Sequence, residues 1–355
     1  MSTPGRLQNQ VKNRRLARGW SQDELARRSG LSRSGISSIE INRLVPSATA
    51  ALALARAFQC PVEDLFSLGD PAEPAVAWAS PPPPGPCRYW QADLGPRRIL
   101  FPADAFADVD SPHDGVFDGA TLCPSPQADP QRTLVLATCD PAAGLLAHEL
   151  ARTTQIRLLV IPRSSRRALE LLRAGLVHVA GLHLSSASED GNAAAVAECC
   201  GAGGRFNLIR AARWEEGLAL APGRRLRSVR SALGARLRWI GRDAGSGAQQ
   251  CLVEVRGNRP APRSHACSHR GVAEAIRAGF VDAGICLRLV SDQAGLDFLP
   301  VREEAYDLCF SADDAHDPRI AALIDAIQSP AYRKLLGELP GYSIANAGLQ
   351  RTVEA

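Results

Sequence analysis

The sequence predicts a multidomain protein: an all-α domain of five short helices over residues 1–68, then a larger α/β domain running from 132 to about 345. Three observations predict it. Capped amphipathic segments follow one another from residue 6 to residue 68. Thirteen of the 25 prolines fall between 69 and 132, where regular structure is interrupted. From Arg132 onward, apolar runs of strand length alternate with helical patterns, as in a parallel, right-handed α/β sheet.

The helical part centres on SQDELARRSGLSRSGISSIEINR, residues 21–43. Ser21 caps a helix, with Glu24 placed to complete a capping box, and Gly30 ends it in a left-handed conformation. Ser32 caps the next helix, whose buried stripe is Ile36 and Ile39. Arg33, Ser34, Ser37 and Ser38 then face outward, a row of small hydroxyls beside an arginine that suits a DNA major groove. A first helix is expected over 6–18, burying Leu7, Val11 and Leu16 and exposing Arg14, Arg15 and Arg18. Asn42 stands in a left-handed turn. Pro46 and Ser47 open a fourth helix with Leu52, Leu54, Ala55 and Phe58 as core, and Pro61 opens a fifth that ends at Leu65 and Phe66.

Charge divides unevenly. Residues 1–70 hold 10 Lys or Arg against 6 Asp or Glu, and the remainder holds 31 against 31. The excess therefore sits on the helical part, as phosphate binding requires. No apolar run approaches the ~20 residues that span a bilayer, and the N-terminus has no secretory pattern, so a cytoplasmic protein without membrane partners is expected. The ten cysteines, among them the adjacent Cys199 and Cys200, show no CxxC pair and are expected as reduced thiols.

Residues 6–68 resemble the Cro/C1-type (XRE) helix-turn-helix family, in WSQDELARRSGLSRSGISSIE, the Pro46–Ser47 start and LARAFQCPVEDLF. The resemblance implies a DNA-phosphate contact at Gln22, base reading by Arg33, Ser34 and Ser38 early in the third helix, and a phosphate contact at Arg43. Ser32 and Ser37 complete the expected DNA face. The partner is double-stranded operator DNA, read as paired half-sites by a homodimer.

Residues 69–131 are expected as a proline-rich linker, a semi-rigid spacer to about Pro86. A short β extension follows, built from CRYWQADLG and RRILFPADAF. From 132 the order is TLVLATCD strand, helix, IRLLVIPRSS strand, helix, VHVAGLHL strand. Later come GRDAGSGAQQ, a helix and strand in GVAEAIRAGFVDAGICLR, a strand pair in LDFLPVREEAYDLCFSA, and helices to 340. Residues 346–355 are expected as a tail.

Ligands of such sheets bind beyond the carboxyl ends of the strands. The first three ends carry Thr138, Cys139 and Asp140, then Ser164 and Ser165, then His183 and Ser185. The Gly245–Ser246–Gly247 turn points backbone N–H groups and a helix N-terminus at a ligand. Residues 132–345 look like the type 2 periplasmic-binding-protein fold, two-lobed α/β, in a branch similar to molybdate-binding domains. The resemblance rests on CDPAAGLLAHEL, IPRSSRRALELLRAGLVHVAGLHL, IGRDAGSGAQ and GLDFLPVREEAYDL. It implies an oxyanion, molybdate or tungstate, held by Ser164, Ser165, Gly245, Ser246, Ala283 and Tyr306, with no other cofactor. Cys139 and Asp140 depart from it, since an oxyanion site prefers Ser there and Asp140 would repel a dianion. Gln249 likewise stands where this branch commonly carries an arginine.

Together these features predict a ligand-responsive transcription regulator that is not an enzyme. Two alternatives stay open. One is an enzyme, or a molybdenum-cofactor-related binding protein, using Cys139, Asp140 and His183 in the cleft. The other is a repressor whose C-terminal half only oligomerises.

Overall fold

In the computed structural model, the structure describes residues 7–41, 43–68, 74–103, 112–184, 191–200 and 204–354. Asn42 and Ser185 lie outside the described residues, as does the side chain of Cys200. The chain divides into two compact units, Met1–Pro74 and Ala75–Ala355.

The first unit pairs β1 (Leu7–Asn9) with β2 (Phe66–Leu68) across four helices: α1 (Val11–Ala17), α2 (Gln22–Ser29), α3 (Arg33–Glu40) and α4 (Ala48–Phe58). The first helix thus begins later than expected, because the residues before it pair with the end of the domain. The fifth helix is one 3-10 turn, Val62–Asp64. The caps form as the residue types dictate. The Ser21, Ser32 and Ser47 hydroxyls accept from the N–H of Glu24, Gly35 and Ala50, and Gly30 has φ +72°. The capping box does not close, because Arg28 at 2.6 Å and Arg27 take the Glu24 carboxylate.

Leu25, Ile36, Ile39, Leu54, Ala55 and Phe58 form the core with Val11 and Leu65. Leu16 and Leu52 instead stand 56% and 57% exposed. Arg15 is buried rather than exposed, since Glu40 pairs with it at 2.6 Å and the Trp20 carbonyl accepts from it at 2.7 Å.

The second unit starts earlier than the expected linker boundary. Ala75–Trp78 (β3) is a strand that pairs in parallel with β5 (Arg97–Pro102). With β4 (Cys87–Leu94), β6 (Gly115–Phe117) and β7 (Leu122–Pro124) it makes a five-stranded sheet. Trp90, Ile99 and Phe101 of this sheet pack on Val135, Leu159 and Leu169, so the segment is bound to the α/β body by apolar burial rather than left as a spacer.

That body is one long sheet in two halves. The first half carries parallel strands β8 (Thr133–Thr138), β9 (Arg157–Pro162) and β10 (Val179–Leu182). Its helices are α5 (Ala143–Thr153), α6 (Ser165–Arg173) and α7 (Gly191–Cys200). β11 (Arg205–Leu220) then crosses into the second half. There follow α8 (Val229–Gly234), β12 (Trp239–Arg242), α9 (Gly247–Arg256), β13 (Ser264–Ala266), α10 (His269–Arg277), β14 (Ala283–Leu287) and α11 (Arg288–Gln293). β15 (Asp297–Ser311) crosses back, followed by α12 (Pro318–Gln328), α13 (Pro330–Gly337), β16 (Tyr342–Ser343) and β17 (Gln350–Glu354).

The expected strand pair at 297–311 is thus one strand, antiparallel to β11 along both lobes, with register shifts at Arg210/Ala212 and Glu216/Gly217. The sheet is parallel only within each lobe. Residues 350–354 are not a tail, because β17 adds to β11. Among the described residues, no helix is long and apolar enough to cross a membrane, and no described cysteine is in a disulfide.

Candidate functional site

Strand ends of the two lobes meet over the crossing strands. From the first lobe, Cys139 follows β8 and His183 follows β10. From the second come Gly247 and His269, the first residues of α9 and α10. Gly247 is pressed on His183: a Cβ there would lie 2.1 Å from the His183 carbonyl oxygen and 2.6 Å from Nδ1. The lobes are therefore closed on each other, and only glycine permits that approach.

His183 is fully buried. Cys139 Sγ lies 2.9 Å from its Nε2, and Glu304 Oε2 lies 2.9 Å from its Nδ1. Burial alone would push this imidazole down, but the Cys139 sulfur and the Glu304 carboxylate hold it well above its ordinary value. Glu304 and Glu216, both fully buried on the crossing strands, share the Arg302 guanidinium at 2.5 and 3.0 Å. Burial, then the neighbouring Glu304, raises the Glu216 carboxyl. His269 is 1% exposed, its ring 5.9 Å from that of His183. Burial, then the charges of Arg242 and His183, pushes it well below its ordinary value, so it is neutral.

Several buried polar atoms here have no partner among the described residues: both ring nitrogens of His269, Trp214 Nε1 and Arg242 Nη1. Trp214 stacks on Tyr306 at 4.5 Å and stands edge-on to His183 at 5.2 Å. A separate cavity of about 430 Å³ lies away from this junction, between residues 112–132 and the β8–β9 edge, and its Arg157 is held by Asp114.

The predicted ligand residues divide. Cys139, His183 and Gly247 meet at the junction. Gly245 (φ +82°) forms the turn before α9 against Arg166. Ser164 caps α6 without a side-chain hydrogen bond. The hydroxyls of the remaining candidates are engaged. Ser165 accepts from the His183 N–H at 3.1 Å, Ser246 donates to the Asp243 carbonyl and accepts from Gln249, and Tyr306 pairs with Thr138 at 2.7 Å.

Asp140 does not join His183 as an acid–base partner. Its Oδ1 accepts from the Ala142 N–H at the start of α5 and from the Tyr342 hydroxyl at 2.6 Å, and burial raises its pKa. Ala283 is not brought to the junction. It begins β14 opposite Trp239 at the start of β12, the end of the sheet remote from Ser246, and the Arg238 carbonyl takes its N–H.

Sequence reasoning missed His269, Glu216, Glu304 and Arg302. The signal for the carboxylates was an acidic residue inside a strand pattern, in RWEEGLAL and VREEAYDL.

In the helical unit, Arg33, Ser34 and Arg43 are exposed and Ser37 and Ser38 half-exposed. Among the described residues, Arg33 makes an exposed contact to Asp23, 3.5 Å away. Ser32 spends its oxygen on the cap, with Ser34 Oγ 3.2 Å away. Gln22 turns inward and donates to Glu40 Oε2 at 3.0 Å, so a phosphate contact from its side chain would first break that bond.

Comparison with known proteins agrees with this division. The family description "PBP superfamily domain" matches residues 147–328, and "Helix-turn-helix" matches 11–65. The chain belongs to the PBP superfamily and carries an XRE-type helix-turn-helix domain. That domain is similar to the uncharacterized HTH-type transcriptional regulator YgzD of Bacillus subtilis, 37% identical over 62 residues, which is 18% of this chain and 94% of that protein.

Among solved structures, an OxyR mutant of Corynebacterium glutamicum aligns at 15% identity and TM-score 0.40, over 55% of this chain and 63% of that one. The tungstate ABC transporter protein of Geobacter sulfurreducens aligns at 16% identity and TM-score 0.44, over 58% of this chain and 98% of that one.

Proposed function

We propose that this chain is a ligand-responsive transcription regulator. The helix-turn-helix domain binds operator DNA as part of a homodimer, and the PBP-like domain closes on a small solute between its lobes. The observation that carries the reading is the set of buried polar atoms without partners at the lobe junction, His269 foremost. Leaving such groups unpaired costs about 1–3 kcal/mol each. A ligand touching both lobes would remove that cost only in the closed form, which is what differential affinity for two states requires.

The donor set bears on the kind of ligand. A tetrahedral dianion such as molybdate or tungstate needs hydroxyls and N–H groups to spare. Ser165, Ser246 and Tyr306 already hold internal bonds, and the junction's floor carries two buried carboxylates. Among the described residues the donors left without a partner at the junction, besides the His269 ring, are Trp214 Nε1 and Arg242 Nη1, so these features support a cation, or a solute pairing a cationic end with an acceptor group, over a tetrahedral dianion.

The contact between Cys139 and His183 favours a second reading, thiol chemistry at Cys139. Against it, Glu304 shares its charge with Arg302, and the second lobe lies directly on His183. The cluster reads better as a holding site than as a nucleophile awaiting substrate.

The test has two parts. DNA fragments are first selected from a random pool with the full chain, and the chain's affinity for them is then measured with each solute that raises its melting temperature. A stabilising solute that changes DNA affinity severalfold supports the proposal. Selected DNA whose affinity ignores every stabilising solute overturns it.

A further inference from the structure

We propose that Cys139, His183 and His269 bind one divalent transition-metal ion of the zinc class, and that this ion ties the two lobes together. That the ion is the regulator's signal rests on the function proposed above; that it binds does not.

The ligand atoms of the three residues all lie within 4.8 Å of one another. One ion at about 2.0–2.3 Å from each reaches all three after small side-chain shifts. One thiolate and two imidazoles form a soft-to-borderline donor set that selects zinc-like ions over magnesium or calcium.

The imidazoles are prepared differently. His183 is oriented by Glu304 at its Nδ1, which leaves Nε2 for the ion, the carboxylate–histidine–metal arrangement of many protein sites. His269 is buried and, among the described residues, unpartnered at both nitrogens, so coordination gives it the partner it lacks. A second group of possible ligands, His183 with Glu216 and Glu304, is the poorer candidate because the Arg302 guanidinium already pairs with both carboxylates, although Oε1 of each has no hydrogen-bond partner among the described residues.

The topology gives the site its consequence. Cys139 and His183 stand at strand ends of the first lobe, while His269 opens α10 of the second. The full set of ligands exists only when the lobes are closed. Binding releases any proton on Sγ or Nε2 to solvent and leaves a fourth position for water or another small donor.

The experiment uses the full chain stripped by a chelator and titrated with Co²⁺, then with Zn²⁺. The expected result is one Co²⁺ per chain, with visible bands of tetrahedral intensity and a near-ultraviolet thiolate band, both abolished by one equivalent of Zn²⁺. Cys139→Ser should remove the thiolate band, and His269→Gln should weaken binding at least 10-fold. Glu304→Gln should keep one ion per chain with affinity lowered about 10- to 100-fold. Circular dichroism and melting without metal show that each variant is folded.

Absence of bands in the wild-type chain, or bands unchanged in folded Cys139→Ser and His269→Gln, would overturn the site. A metal bound as described with no effect on affinity for selected DNA keeps the site and overturns the signal. A DNA response to another solute in a chain that binds no metal overturns the site and leaves the proposed regulator function standing.

Discussion

Gly247 offers the most direct test of lobe closure. In Gly247→Ala the new Cβ would sit 2.1 Å from the His183 carbonyl oxygen, where ordinary contact begins near 3.4 Å. The clash is with backbone, so no rotamer change relieves it, and the lobes must part by about 1 Å. Overpacking of this kind costs about 1–3 kcal/mol. Alanine's advantage within a helix is at most about 1 kcal/mol, and less at the first helical position, so the steric term wins. The closed form should lose about 5- to 150-fold in population relative to the open one.

Hydrogen exchange of the full chain reads this out, at peptides covering the end of β10 and the first turn of α9. Both should exchange faster in the variant, by a factor in that range. Gly144→Ala is the control: the residue lies in α5 and a Cβ there meets nothing within 4 Å, so the propensity gain comes without a clash. If the two alanine variants exchange alike at β10 and α9, the lobes do not close as described.

Three further outcomes follow from named contacts. Arg33→Ala should weaken binding to selected DNA by about 1–3 kcal/mol and relax preference at one base pair if the guanidinium reads guanine; unchanged affinity in a gel-shift titration removes Arg33 from the reading face. Glu40→Ala leaves the buried Arg15 guanidinium without its 2.6 Å partner and should destabilise the N-terminal unit by about 3 kcal/mol, seen as early loss of that unit in urea. His178 sets an acid limit. Its Nδ1 accepts from the Val135 N–H at 3.0 Å and its Nε2 faces the Asp93 carbonyl at 3.1 Å, so the ring must be neutral. Burial and Arg319 push its pKa to about 3, from 6.5. Its contribution is complete above pH 6.5 and is lost as pH falls toward 3, about 2 kcal/mol by pH 5. Denaturant titrations at pH 7 and pH 5 should show that loss in the wild type and a smaller one in His178→Asn; equal losses would refute it.

What the sequence made legible were features written in adjacent residues. Ser21, Ser32, Ser47 and Gly30 announce helix ends because a cap is a contact within one turn. The alternation from Thr133 to Leu182 announces parallel strands because its periods are local. Arg15 was misread because its partner Glu40 lies two helices away, and an arginine in a helical pattern looks like a solvated one. The crossing strand β15 was read as a strand pair, since the irregularity opposite Glu216 and Gly217 breaks its alternation. Of the candidate site, Cys139, His183 and Gly247 stood at predicted strand and helix ends. His269 did not stand out in SHRGVAEAIR, where it is simply the residue after a serine cap.

His269 is the residue on which the proposed choice of sensing over chemistry turns. With only the first lobe in view, Cys139, His183 and Glu304 read as nucleophile, base and orienting acid, and catalysis would be the economical conclusion. A nucleophile, however, needs its base to face a reacting group and its surroundings to receive a developing charge. Here the second lobe presses the Gly247 backbone onto His183 and brings up a neutral imidazole with two unused lone-pair or N–H positions. That imidazole adds no oxyanion donor placed by a substrate, but it does add a third ligand atom within 4.8 Å of the other two. A group supplied by a moving lobe, useless when the lobe is open and unsatisfied when it is closed and empty, stores the free-energy difference that a signal can collect. On the proposed reading these residues act as a latch rather than a catalytic set, and the latch is complete only when both lobes contribute.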